Sequence, residues 1–205
     1  MHRYLVTGTD TEVGKTVFAA ALAGHLGARY WKPVQAGIDD GTDSLRVAAL
    51  SGGRAEVLPE GYVLQTPCSP HEAARIDGVT IDPARLPLPP GEGPLVVEGA
   101  GGVLVPFADG LLAADLFAMW GLPVILVART ALGTISHSLM SLEALRARGL
   151  TVHGVAFIGE ANPASEEAIV SFGQTAHLGR LPRLDPLTPE ALAQAFAAQI
   201  RTDLL

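Results

Sequence analysis

Apolar residues fall along the chain in short runs separated by longer stretches of helical character. Tyr4 to Thr7, Leu95 to Val97, Val124 to Ala128 (VILVA), Val152 to Ile158 and Ala176 to Leu181 are too short for helices and mostly continuous in their apolar character, as strands buried on both faces are. Ala28 to Trp31 reads as a further short strand and Val57 to Thr66 as an extended segment. Between them, Val17 to Leu26, Leu111 to Trp120, Ser136 to Arg148 with its Gly149 stop, Ser165 to Phe172 and Pro189 to Ile200 predict helices. Two more are expected. One starts around Thr42 to Ser44 with Asp43 near its N-terminus and stops at Gly52-Gly53, and one starts at Pro70-His71-Glu72. Pro33 to Gly41 reads as a loop, and residues 81–94, crowded with proline and glycine, read as an irregular connector. Strands alternating with helices predict an α/β architecture: one doubly wound, mostly parallel sheet covered on both faces, residues 1–205 forming a single domain. In such a sheet the ligand site lies beyond the carboxyl ends of the strands.

Composition sharpens this picture. An apolar content of 48% with 17% charged residues excludes intrinsic disorder. A net charge of −7 removes the basic footprint of a general nucleic-acid binder, so no nucleic-acid partner is expected. The first seven residues lack the apolar stretch of a signal peptide, and the most apolar later segment, Leu111 to Ala128, is interrupted by Asp115, Gly121 and Pro123. No export and no membrane association are therefore expected. A lone cysteine, Cys68, allows no internal disulfide, fits the reducing cytoplasm and reads as a small packed thiol without a catalytic role. The histidines have no metal-ligand spacing, and His71 fits either a ligand-orienting role or a helix start. Only two of the fourteen basic residues are lysines, Lys15 and Lys32, and both stand in motifs.

The strongest motif is Gly8-Thr9-Asp10-Thr11-Glu12-Val13-Gly14-Lys15-Thr16, between a predicted strand and a predicted helix. Loop amides and a helix N-terminus there would wrap phosphates, Lys15 would neutralise them and Thr16 would ligate Mg²⁺, so ATP or GTP is expected. The common G-x-x-x-x-G-K-[ST] pattern places glycine at position 9; here Thr9 stands there and the first glycine is Gly8. Glu98, delivered by the buried run Leu95-Val96-Val97 and followed by Gly99-Ala100-Gly101-Gly102, is a second chemical candidate at the sheet edge.

The glycine loop together with Trp31-Lys32-Pro33-Val34-Gln35 resembles the dethiobiotin synthetase family. Thr66-Pro67-Cys68-Ser69-Pro70-His71, Val97 to Gly102, Leu122 to Val127 and Leu132-Gly133 are similar to that family in the same order, so the likeness covers most of the chain. It implies Mg-ATP-dependent carboxylation and ring closure of 7,8-diaminononanoate with CO₂, giving dethiobiotin, ADP and phosphate in biotin biosynthesis. The path runs through a carbamate and a carbamic–phosphoric anhydride. Amide synthetases of the cobyrinic and cobyric acid type share the glycine loop and the acidic strand end. A nucleotide-switch or partitioning ATPase is the reading from another class, and such ATPases often carry an additional lysine early in the loop, absent from Thr9 to Val13.

The resemblance also implies roles. Lys32, Lys15 and Thr11 are the catalytic candidates, with Lys15 on the β- and γ-phosphates, Lys32 on the carbamate and transferring phosphoryl group, and Thr11 at the substrate. Glu12, Val13, Gly14, Lys15, Thr16, Val17, Asp43, Glu98, Gly99, Ala100, Gly101, Leu181 and Pro182 are implied at the nucleotide. Thr16, Asp43 and Glu98 supply the hard oxygens Mg²⁺ takes, although Asp43 also fits a helix cap and Glu98 a turn acid. Ala36 stands where the family usually has Ser or Thr, which removes a hydroxyl contact to substrate. Ile158 stands where the family has an adenine-reading Asn, leaving Asn162 or backbone groups of Gly179-Arg180-Leu181-Pro182 for the base. A homodimer with a shared active site is implied, completed across the interface by Leu132-Gly133-Thr134-Ile135-Ser136.

Overall fold

A computed structural model of the chain describes residues 2–205. Its strands are β1 (Arg3–Gly8), β2 (Arg29–Trp31), β3 (Val34–Ala36), β4 (Glu56–Val57), β5 (Tyr62–Leu64), β6 (Leu95–Gly102), β7 (Pro106–Ala108), β8 (Leu111–Leu112), β9 (Val124–Arg129), β10 (Val152–Ile158) and β11 (His177–Leu181). Its α-helices are α1 (Lys15–Leu26), α2 (Asp43–Leu50), α3 (Pro70–Asp77), α4 (Ala113–Trp120), α5 (Thr134–Arg146), α6 (Pro163–Gly173) and α7 (Pro189–Gln199). Seven strands form one sheet in the order β11-β10-β9-β1-β6-β2-β4, every pairing parallel.

The continuous apolar runs are explained by two cores, one on each face. Alternate residues of one strand go to opposite sides: Leu5, Val97 and Leu126 pack with Phe117, Leu142 and Ile169, while Val6, Val96 and Ile125 pack with Phe18, Leu22 and Phe196. Helix α1 is buried along most of its length, and its small residues allow close approach; a Cβ on Gly24 would lie 3.1 Å from the Ser51 carbonyl oxygen of the turn after α2.

Four sequence expectations are corrected. Leu111 to Trp120 is not one helix, because Leu111–Leu112 pairs antiparallel with Pro106–Ala108, and the Asp115 carboxylate accepts from the Leu112 N–H at 2.9 Å, so the helix starts at Ala113. The loop expected after Pro33 contains β3, which pairs with β5 in a separate two-stranded sheet. The last helix stops at Gln199, and Ile200 instead bridges Gly179. Finally, β6 does not end at Glu98. It runs on to Gly102, with a two-residue slip against β1: Val6 faces Glu98, and Gly8 faces Gly102.

Candidate active site

The carboxyl ends of β1, β2 and β6 open into a cavity of about 780 Å³, within the size range of small-molecule sites. The glycine loop forms one wall. Gly8 is required there because a Cβ on it would lie 2.7 Å from Val13 Cγ2 and 3.0 Å from the Lys15 side chain. The loop thus closes over position 8, and Thr9 needs no glycine conformation. Gly14 has φ 96°, and Glu12, a non-glycine residue, is held at φ 56°, a strained geometry typical of ligand-binding turns. The Lys15 ammonium donates to the Asp10 carbonyl oxygen at 2.6 Å, which lays its side chain along the inside of the loop.

Behind the loop lies a buried charge cluster. Lys32, at the end of β2 and 3% exposed, places Nζ 2.6 Å from Asp43 Oδ2, 3.0 Å from Glu98 Oε1 and 3.0 Å from the Gly99 carbonyl oxygen. Asp43 reaches it because Thr42 caps α2 by accepting from the Leu45 N–H, leaving Asp43 in the first turn with its carboxylate turned to the site. The cap reading of Asp43 therefore goes to Thr42 instead. Glu98 is fully buried, and its other oxygen accepts from the Tyr30 hydroxyl at 2.9 Å.

Burial pulls the Lys32 ammonium down, but Glu98 and Asp43 outweigh it and hold the group above its ordinary value. Burial pushes Asp43 up, and the opposing pull of Lys32 leaves it below the usual carboxylate range. Lys15 is lowered to about 8, first by burial and then by the neighbouring Lys32 charge. Tyr30 is raised well above its ordinary value by burial and by Glu98.

Thr16 Oγ1 lies 2.9 Å from Asp43 Oδ1 and 2.8 Å from Glu98 Oε1. A hydroxyl has one hydrogen to offer two carboxylates, so this trio of hard oxygens is a donor set that suits a small divalent cation completed by water. Thr11, Glu12, Gly14, Lys15, Thr16, Val17, Lys32, Ala36, Asp43, Glu98, Ala100 and Gly101 all line the cavity. Val13, Gly99, Leu181 and Pro182 do not: Val13 packs in the core, Gly99 meets Lys32 through its carbonyl, and Leu181 is buried beside Ile158.

Ile158 packs on the glycine loop; a Cβ on Gly14 would lie 3.1 Å from its side chain. Asn162, the candidate polar substitute, is engaged within the chain. Its Oδ1 accepts from the Ser165 N–H at 3.2 Å as the cap of α6, and its Nδ2 donates to the Thr130 carbonyl oxygen at 3.1 Å. The Cys68 expectation is also corrected, because the thiol is exposed on the cavity wall between Pro67 and Ser69. His71 starts α3, and its Nδ1 is paired with Ser69 Oγ at 3.0 Å.

Gln35, Arg46, Ser69 and Val105 line the cavity without having been singled out for a role, and Tyr30 stands behind it. Gln35 sits within the Lys-Pro-Val-Gln motif and Ser69 within Thr66 to His71, and these are the available signals; Arg46 and Val105 are brought in by α2 and by the turn after β6, which sequence spacing does not encode.

A family model described as "AAA domain" matches residues 2–191. The chain is 60% identical over 196 residues to the ATP-dependent dethiobiotin synthetase BioD of Agrobacterium fabrum, covering 95% of this chain and 92% of that protein. It is 59% identical over 204 residues to the protein of the same description from Novosphingobium aromaticivorans, covering 99% and 98%. Among solved structures, the cell division ATPase MinD of Pyrococcus furiosus superimposes with a TM-score of 0.62 at 16% identity, over 96% of this chain and 95% of that one. A plasmid partition protein of Borrelia burgdorferi bound to AMPPNP gives 0.58 at 9% identity, over 95% and 90%. At such identities the likeness is one of fold alone.

Proposed function

The chain belongs to the ATP-dependent dethiobiotin synthetase family, and from that premise we propose how its residues divide the work. It is an ATP-dependent ligase that forms carbon–nitrogen bonds in biotin biosynthesis. The substrates we assign are 7,8-diaminononanoate, CO₂ and ATP. One observation carries the division of roles: Lys32, a buried ammonium on the cavity lining, lies 2.6 Å from Asp43 Oδ2 and 3.0 Å from Glu98 Oε1, two of the metal-suited groups.

Ring closure through a mixed anhydride asks for charge neutralisation and alignment more than for a protein nucleophile. The amides of the glycine loop and the Lys15 ammonium hold the phosphates, with the start of α1 directed at them. Thr11 and Lys32 face the carbamate, and Lys32 neutralises the oxygens of the group in transfer. Because Glu98 and Asp43 keep Lys32 protonated, it serves as a fixed positive charge rather than as a base. Thr16, Asp43 and Glu98 are the residues that would hold Mg²⁺, which when bound would neutralise phosphate charge. Cys68, exposed and with its thiol raised by partial desolvation and by Glu72 and Asp77, takes no nucleophilic role in this scheme.

We further propose that residues 1–205 act as one domain in a cytoplasmic homodimer. Leu132 is fully exposed at the head of α5, beside a Thr134 whose hydroxyl is tied to the Arg129 carbonyl oxygen. An apolar tip next to a helix N-terminus suits a contact that shares the site with a second copy. The net charge of −7 favours small-molecule chemistry over nucleic acid. Among the described residues no helix is long and apolar enough to cross a membrane. The deciding experiment is phosphate release from ATP with and without diaminononanoate plus bicarbonate. Stimulation by the pair supports the assignment, and turnover indifferent to both refutes it.

A further inference from the structure

Gln35 is 6% exposed, lies on the cavity wall and uses both ends of its amide. Its Oε1 accepts from the Asp43 N–H at 3.0 Å, and its Nε2 donates to the Gly37 carbonyl oxygen at 2.8 Å. The first bond satisfies a backbone donor that a helix start otherwise leaves without a partner, since Thr42 serves the Leu45 N–H and not this one. The second ties the same side chain to a turn that cannot shift. Gly37 has φ 81°, donates its N–H to the Leu64 carbonyl oxygen at 3.0 Å, and is so close to Pro67 that a Cβ on it would lie 2.8 Å from Pro67 Cβ. On its other side the Asp43 backbone continues into α2, whose buried residues are Ser44, Val47 and Leu50.

We propose that Gln35 is a positioning residue for the reaction: through the Asp43 amide it sets where the Asp43 carboxylate stands relative to Thr16 and Lys32, and so fixes the geometry of the divalent-cation site. The inference rests on the reading of Asp43 as a Mg²⁺ ligand. It also gives the motif glutamine a function that substrate contact alone does not need. A carboxylate that accepts from the Thr16 hydroxyl and from the Lys32 ammonium has little freedom once its backbone is pinned, and loss of the pin lets the first turn of α2 move away from Thr16. An amide is the side chain that fits, since one end must accept from an N–H and the other must donate to a carbonyl.

The test measures ADP binding by calorimetry on the full chain, in EDTA and across a Mg²⁺ titration, for the parent, Gln35→Leu, Gln35→Glu and Asp43→Asn. In Gln35→Leu, binding in EDTA stays within about twofold of the parent, whereas the Mg²⁺ concentration giving half-maximal enhancement rises about tenfold or more, the usual effect of removing a residue that orients a metal ligand. Gln35→Glu keeps the shape and the acceptor for the Asp43 N–H and loses only the bond to Gly37, so it moves the midpoint less than Leu does and stands in for Leu should that variant not fold. Turnover of Gln35→Leu returns toward the parent value at high Mg²⁺, which a lesion of the fold alone does not allow. A Gln35→Leu midpoint equal to the parent's, or turnover that excess Mg²⁺ does not recover, overturns the proposal. If Asp43→Asn also leaves the midpoint in place, the Mg²⁺ reading of Asp43 falls and this inference with it. If Asp43→Asn shifts the midpoint and Gln35→Leu does not, only the role of Gln35 falls.

Discussion

Replacing Lys32 by Met keeps the stem and removes the charge. In the parent that charge lies 2.6 Å from Asp43 Oδ2 and 3.0 Å from Glu98 Oε1, with Glu98 fully buried and Asp43 about one quarter exposed. Breaking a buried ion pair by deleting one partner costs about 3–5 kcal/mol. Glu98 keeps the Tyr30 and Thr16 hydroxyls, and water reaches Asp43, so the lower end, about 3 kcal/mol, applies. For a chain of this length that corresponds to a fall in Tm of roughly 6–12 °C without unfolding at room temperature. The double variant with Asp43→Asn removes the repulsion between the two carboxylates and regains part of the loss. Chemistry suffers more, because a charge aimed at the transferring group acts mainly in the transition state, and single-turnover phosphoryl transfer falls by at least ~10²-fold. Thermal melts in EDTA and rapid-quench turnover on the single and double variants measure both. A Tm within about 2 °C of the parent, together with near-normal turnover, removes Lys32 from the centre of the site.

Lys15 is held at about 8 instead of 10.5, so across that interval the unfolded chain binds more protons than the folded one. Stability of the nucleotide-free protein, followed by urea melts, therefore rises with pH through that window and is lowest below it, while ADP affinity falls as the ammonium is lost; Lys15→Met flattens both profiles. With Ile158 apolar and Asn162 occupied as a helix cap, GTP or CTP supports turnover at a kcat/KM within ~30-fold of ATP, and I158N widens the gap. A parent preference for ATP above ~10³-fold means other groups read the base. Leu132→Arg yields a monomer by light scattering and reduced ring closure at assay concentrations; a fully active monomer of the parent refutes the shared site.

The elements legible in the sequence were those whose burial is two-sided or whose local chemistry is self-sufficient. Val124 to Ala128 and Val152 to Ile158 are apolar because both faces of the sheet are covered, and Gly14-Lys15-Thr16 declares a strand-loop-helix turn by itself. What escaped depends on contacts distant in the chain. Three-residue β3 is a strand only because Tyr62–Leu64 lies beside it, and Leu111–Leu112 leaves the helical pattern only because Pro106–Ala108 turns back on it. In the site, Lys32 and Glu98 were visible from motif and strand end, whereas their meeting is made by β2 and β6 lying side by side, Trp31 opposite Val97. Tyr30 lay within a predicted strand and drew no role, since no local signal says that its hydroxyl meets a carboxylate 68 positions away. Cys68 departed from its expected burial because it stands on an open cavity wall, a placement that no local signal in the sequence shows.

The slip between β1 and β6 divides one strand into two independently adjustable parts. Up to Glu98 the strand is clamped between β1 and β2, and the acid's position is set by the sheet itself. Beyond it, the strand bows out opposite Thr7 and returns at Gly102, so the cavity rim formed by Ala100 and Gly101 is fastened at its two ends. Residues added to or removed from that bow reshape the mouth of the site, and therefore which molecules enter it, while the buried carboxylate stays in place. Selectivity and chemical machinery, though encoded within five consecutive positions, are in this way open to separate revision.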